Sequence, residues 1–180
     1  MKLYKIYSRA IGLLFALSLL CVGCENEDIL DINDLEISPS NPESVVIVEP
    51  DDGITSVNAL TKAINENGDA TYILRRDGVY YMEGKNVFKH NVVIKAENGS
   101  GKMPIIQPIC DAQGALNADM IRLEGSATFE NIYIIGKDAA TGNLMQRLFR
   151  IDESNVRLKF DNCFIDHFRN FCIRTDNVNN

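Results

Sequence analysis

Two stretches decide the fold: IRLEGSATFENIYI, Ile121 to Ile134, and FRIDESNVRLKFDNCFI, Phe149 to Ile165. Phe129-Glu130-Asn131-Ile132 in the first returns as Phe160-Asp161-Asn162-Cys163 in the second, 31 positions on. Ile121-Arg122-Leu123-Glu124 returns as Phe149-Arg150-Ile151-Asp152, 28 positions on. It returns again in part as Ile173-Arg174-Thr175-Asp176, a further 24 positions on. The three extra residues fall between the two blocks, where a turn absorbs them. A short strand that recurs at this interval cannot bury its own apolar face and stacks on its next copy. Side chains alternate inward and outward along a strand. Leu123 with Ile151, and Phe129 with Phe160, then form inward stacks. Asn131 and Asn162 suit a left-handed turn or an amide ladder along the stack. A β-sandwich is the rival reading of the same short strands.

Working outward, Ala70 to Arg75, Gly78 to Met82 and Asn91 to Ala96 are short β-rich runs split by Gly, Asn and Asp. Before them, Thr55 to Asn67 predicts a helix. Ser56 is its N-cap, Val57, Leu60 and Ile64 lie on one face, and Asn67-Gly68 is its stop. Val45 to Val48 (VVIV) reads as a first strand, and no helical pattern follows residue 96.

Three features now carry a family resemblance. An amphipathic helix leads into a first strand (SVNALTKAINENGDATYIL), Asp77-Gly78-Val79-Tyr80 follows, and then come the repeated F-x-N segments. From Thr55 onward the chain resembles right-handed parallel β-helix proteins of the pectate-lyase-like superfamily. The chondroitinase-B and alginate-lyase group and its uncharacterised lipoprotein relatives are the nearest likeness. The resemblance implies a mainly β fold: a right-handed parallel β-helix with an N-terminal capping helix, its N-terminal coils spanning 54–180. It also implies contact with anionic polysaccharide. Enzymes of that group remove a proton beside a uronate carboxylate, with Lys or Arg as base and calcium held by acids, on middle coils. No position here matches those motifs, so no catalytic residue is assigned, and neither calcium nor another cofactor is supported. The chain stops at Asn179-Asn180 inside what the repeat makes a coil. The expectation is an N-terminal fragment or a truncated gene product, with the coil end open and the catalytic coils absent.

The N-terminus gives the address. Met1 to Arg9 is basic, and Ile11 to Leu20 is apolar. Ten to twelve helical residues reach about 15–18 Å, short of the ~30 Å hydrocarbon core of a bilayer. Residues 1–23 therefore read as a signal peptide. Cys21-Val22-Gly23-Cys24 closes it and resembles the lipobox of bacterial lipoproteins, in which a small residue precedes the lipidated Cys. Cys21 stands where that motif usually has Leu. Cleavage between Gly23 and Cys24, with lipid on Cys24, makes the membrane the first partner, since two or more acyl chains anchor a protein stably. An ordinary secretory signal with an incidental Cys is the alternative. Residues 24–53 read as an acidic tether, with Glu25, Glu27, Asp28, Asp31, Asp34 and Glu36 ahead of Ser-Pro-Ser-Asn-Pro. Acids just after a lipidated Cys resemble the export signal of outer-membrane lipoproteins exposed on the cell surface. A spacer facing the periplasm is the alternative.

The formal charge is −7. The signal carries Lys2, Lys5 and Arg9 and no acids, so removing it takes the charge to −10. Nucleic acid is therefore not an expected partner, because phosphate binding wants a basic face. There is no Gly-rich phosphate loop and no nucleophile elbow. The candidate site is a charge ladder. The repeat puts Arg122, Arg150 and Arg174 in one outward column, with Glu124, Asp152 and Asp176 two residues on. Guanidinium forks suit carboxylates, so an anionic glycan could lie along the column. The plainer reading is a ladder in which Arg and acid neutralise each other. Glu130 and Asp161 also stack, but two carboxylates fall short of the ~6–8 oxygens of a calcium site. Asp166-His167 and His90 read as structural, and two His make no His-based metal site. Cys110, Cys163 and Cys172 are an odd set, with Cys163 in an inward slot.

Overall fold

The computed structural model describes residues 44–176. The signal peptide, the Gly23-Cys24 junction and most of the acidic tether lie outside the described residues. The elements run β1 (Val45–Val48), α1 (Ala59–Asn67), β2 (Ala70–Leu74), β3 (Val79–Glu83), β4 (Asn86–Phe88), β5 (Val92–Ala96) and β6 (Ile105–Ile109). Then come β7 (Asp119–Leu123), β8 (Ala127–Glu130), β9 (Tyr133–Ile135), β10 (Met145–Ile151), β11 (Leu158–Asp161), β12 (Phe164–Asp166) and β13 (Phe168–Thr175).

The strands form three sheets: β1-β2-β5-β8-β11, β3-β6-β9-β12 and β4-β7-β10-β13. Every strand–strand ladder is parallel. From β2 onward the chain visits the first, second and third sheets in that order, then repeats the circuit. Parallel neighbours cannot be joined by a hairpin and need a crossover. Here the crossover is the passage through the other two sheets. The fold is thus mainly β, with three all-parallel sheets and one short helix, and is compatible with a parallel β-helix.

The register follows the repeat. Phe149, Arg150 and Ile151 pair with Ile121, Arg122 and Leu123 on one side and with Ile173, Arg174 and Thr175 on the other. Phe160 pairs with Phe129, and Asp161 with Glu130. Inward side chains therefore stack in columns. The first sheet supplies Tyr72, Ile94, Phe129 and Phe160. The second supplies Tyr80, Ile106, Ile134 and Ile165. The third supplies Phe88, Leu123 and Ile151. Except for Phe160 and Ile165 on the last circuit, these are buried. Each such side chain stabilises by about 1.5–3 kcal/mol. The Phe129 ring stacks on Phe160 at 5.6 Å and meets Phe149 edge-on at 5.4 Å.

The corners repeat as the strands do. Asn131 and Asn162 both take positive φ, 59° and 47°. Asn162 Nδ2 donates to Asn131 Oδ1 at 2.6 Å. The turn and the amide ladder are therefore both present. At the next corner the stacking leaves no room for a side chain: a Cβ on Gly125 would lie 2.9 Å from the Lys89 carbonyl oxygen and inside the His90 carbonyl.

Helix α1 packs against β1, β2, β3 and β4, the opening strands of all three sheets, and covers that end of the core. Leu60, Thr61 and Ile64 are its buried residues. Asn86 points inward on the edge strand β4 and accepts a 2.7 Å hydrogen bond from Thr61 Oγ1, so a buried amide is satisfied by the helix. The helix starts later than the sequence predicts. Ser56 is not its N-cap, and Val57 lies before it; Asn58 caps it with φ 61° and no side-chain cap bond. The cause is a pair of carboxylates outside the helix. Asp52 accepts the N–H groups of Ile54, Thr55 and Ser56 and holds them in a turn. Asp51 accepts the Ala59 N–H, the Ser56 hydroxyl and the Tyr81 N–H. Asp51 is buried and β1 pairs with β2, so Val45 to Val48 is a strand of the folded unit as its VVIV run predicts, and Asp51, inside the 24–53 bounds, is bonded to that unit.

Candidate functional site

Strands β7, β10 and β13 carry Arg122, Arg150 and Arg174 at one rung position, with Val87 of β4 at the column's start. Parallel pairing alone sets this alignment. Two residues missed in the sequence complete the site. Asp119 and Arg147 pair across β7 and β10 and form an ion pair. Extending the repeat alignment back from Arg122 and Arg150 would have placed them opposite each other.

The carboxylates interleave with the guanidiniums. Asp152 sits 3.1 Å from Arg122 Nε and 2.7 Å from Arg150 Nε. Asp176 sits 2.9 Å from Arg150 Nη2 and 2.6 Å from Arg174 Nε. Asp119 also reaches Arg150 Nη1 at 3.6 Å and Arg122 Nη2 at 3.9 Å. Each Asp thus bridges at least two arginines. Glu124 makes none of these ion pairs. Arg122 Nε is buried and not aligned to donate to Asp152, so that contact is an ion pair without a hydrogen bond.

Exposure grades along the column. Side chains of Arg122, Arg150 and Arg174 are 23%, 28% and 45% exposed. Arg174 donates from Nε to Asp176, and among the described residues its Nη groups donate no hydrogen bond. Burial works against the charge on Arg150, but Asp152 and Asp176 overcome it and push its pKa up. The Arg174 hydrogen bond holds the Asp176 carboxyl below its usual range. The arrangement favours fixed charges over proton transfer and is chemically suited to holding an anion.

Other candidates fall apart from this face. Asp161 and Glu130 are neighbours on the first sheet, and no group of three His, Cys, Asp or Glu among the described residues could hold a metal. Asp166 pairs with His167 at 3.0 Å and Asp69 with His90 at 3.3 Å, all four exposed by a third or more. The thiols of Cys110, Cys163 and Cys172 are free. Burial pushes the Cys163 and Cys172 thiols up, away from reactivity. A second exposed feature is aromatic: Phe164 on β12 meets Tyr133 on β9 edge-on at 6.1 Å. No protein-family model matches this chain, and no curated protein matches it.

Proposed function

We propose that this chain is an exported lipoprotein, held by lipid on Cys24 at the outer membrane and exposed on the cell surface. Its right-handed parallel β-helix, of pectate-lyase-like type, contacts an anionic polysaccharide along the third sheet. The arginine column carries the reading, above all Arg174, the most exposed of the three, whose Nη groups donate no hydrogen bond among the described residues. A uronate or sulfate oxygen can take bidentate bonds from such a fork. No described residue is assigned a catalytic role.

The test is binding of the full chain, extracted in detergent, to polygalacturonate and to neutral dextran. Retention on the acidic polymer, lost in Arg174→Ala, is expected; equal retention of both polymers, or by the variant, refutes it. The anchor is tested separately. Labelled palmitate should enter the protein in cells, and Cys24→Ala should abolish it; persistent labelling of the variant refutes that assignment.

A second reading has its own observation. Every guanidinium of the column already touches a carboxylate, as in a ladder that only joins strands. In a non-catalytic scaffold of that kind, Arg150→Ala would lower stability and leave polymer retention unchanged.

A further inference from the structure

The tripeptide Glu-Asn-Gly occurs twice, as Glu66-Asn67-Gly68 and as Glu97-Asn98-Gly99, 31 positions on. In an Asn-Gly pair the Gly backbone nitrogen can attack the Asn side-chain amide, because Gly has no Cβ to hinder the approach and turns freely. The letters make the two pairs alike; the fold does not. Asn67 closes α1. Its Nδ2 donates to the Ala63 carbonyl at 2.8 Å, and the Gly68 N–H donates to the Ile64 carbonyl at 2.9 Å. Both reacting groups are held, and they meet only if the helix end opens.

Asn98 lies on the loop from β5 to β6. Asn98, Gly99 and Ser100 are exposed, and none makes a hydrogen bond among the described residues. A Cβ on Gly99 would meet nothing within 4 Å, and its φ of 122° is one that side chains rarely allow. The base of the loop is fixed. Arg76 donates from Nε to the Glu97 carbonyl at 2.8 Å and from Nη1 to the Gly101 carbonyl at 3.1 Å, and Asp77 accepts the Lys102 N–H at 3.1 Å.

We infer that Asn98 is a site of spontaneous deamidation and that Asn67 is protected. The Gly99 nitrogen gives its proton to hydroxide and bonds to the Asn98 side-chain carbonyl carbon. The bond from that carbon to Nδ2 breaks, and the nitrogen leaves as ammonia with a proton from water, which restores the hydroxide. Water then opens the resulting imide at either carbonyl, giving aspartate or isoaspartate at position 98. The net exchange is water for ammonia, with no oxidant or reductant. Arg76 ties together the residues on either side, so the change stays in the loop and β5 and β6 keep their ladders.

The experiment holds the full chain in detergent in mildly alkaline buffer and follows the peptides carrying Asn67 and Asn98 by mass spectrometry. The signal is the exchange of an amide NH for oxygen. Asn98 should convert about tenfold or more faster than Asn67, the factor that one local opening of the helix end imposes. In urea the helix end is gone, and the two rates should come together to within about threefold. Equal rates in the folded chain overturn the inference. So does an Asn98 that stays intact while the unfolded chain converts, or a gap that survives in urea. A glycan carried on Asn98, which Asn98-Gly99-Ser100 would accept as a sequon, overturns it as well.

Discussion

Asp119→Asn removes one charge from the centre of the arginine network and keeps the shape. Asp119 and Arg147 are 8% and 12% exposed, and Arg147 forms its one close ion pair, among the described residues, with Asp119. Arg122 and Arg150 keep Asp152, so the cost falls on Arg147. Breaking a buried pair by losing one partner costs about 3–5 kcal/mol. The Asn oxygen still accepts a hydrogen bond and Arg147 keeps a little solvent, which brings the expected loss to about 2–3 kcal/mol. For a unit of this size that is a fall of roughly 8–10 °C in Tm. Urea unfolding followed by circular dichroism measures it. Arg147→Met alone leaves Asp119 near Arg122 and Arg150 and should cost about 1 kcal/mol. The double variant should be more stable than Asp119→Asn alone, because the stranded cation is gone. A loss below about 0.5 kcal/mol, or a double variant no better than the single, would show that the pair does not hold β7 to β10.

Four further outcomes are expected. Gly125→Ala drives a methyl into the Lys89 and His90 carbonyls, backbone that cannot swing aside, and should cost about 1–3 kcal/mol in urea unfolding. Tyr80 donates to the Val48 carbonyl at 2.8 Å and accepts the Arg75 N–H at 2.7 Å, so Tyr80→Phe should cost about 1–3 kcal/mol. Burial pushes the Tyr80 and Tyr72 phenols up to about 12. A raised folded value stabilises below the ordinary Tyr range and is lost as pH climbs through about 12. Alkaline unfolding should therefore track phenolate absorbance, and less steeply in Tyr80→Phe; an unchanged profile counts against it. At the acid end Asp176 is held down by Arg174, so its contribution is full above the usual carboxylate range and lost as pH falls through the lowered value. Amide exchange should then speed first in β13, and uniform exchange across the sheets would contradict this.

The repeat made the register legible because stacked columns demand like against like. Phe129 over Phe160 and Arg122 beside Arg150 are visible in the letters and present in the ladders. The start of α1 was not legible, because it is set by carboxylates that lie before it in the chain and close on it only in the fold. Strand β4 escaped notice because it has three residues and turns an Asn inward, a polar residue that only Thr61 makes tolerable. Strand β6 carries Pro108, which argues against an interior strand. The β6–β9 ladder runs through Ile105 and Ile106 only, so the missing N–H interrupts nothing there. Asp119 is not legible from the repeat's apolar start at Ile121, because the acid lies two residues before it.

The same register that aligns the arginines creates a cost the acids must offset. Two cations one rung apart, about 4.8 Å, repel by about 3.5 kcal/mol at an effective dielectric near 20. Solvent lowers that figure for side chains this exposed, yet it recurs at every rung. Asp152 between Arg122 and Arg150, and Asp176 between Arg150 and Arg174, cancel it where it arises. An anion arriving at the middle of the column must displace a carboxylate that is already placed at 2.7–3.1 Å. At Arg174, the most exposed of the three, the Nη groups donate no hydrogen bond among the described residues, so an anion meets less competition. If this face takes an anion as proposed, the exposed end of the ladder at Arg174 is the place for it, and the inner arginines serve the fold first.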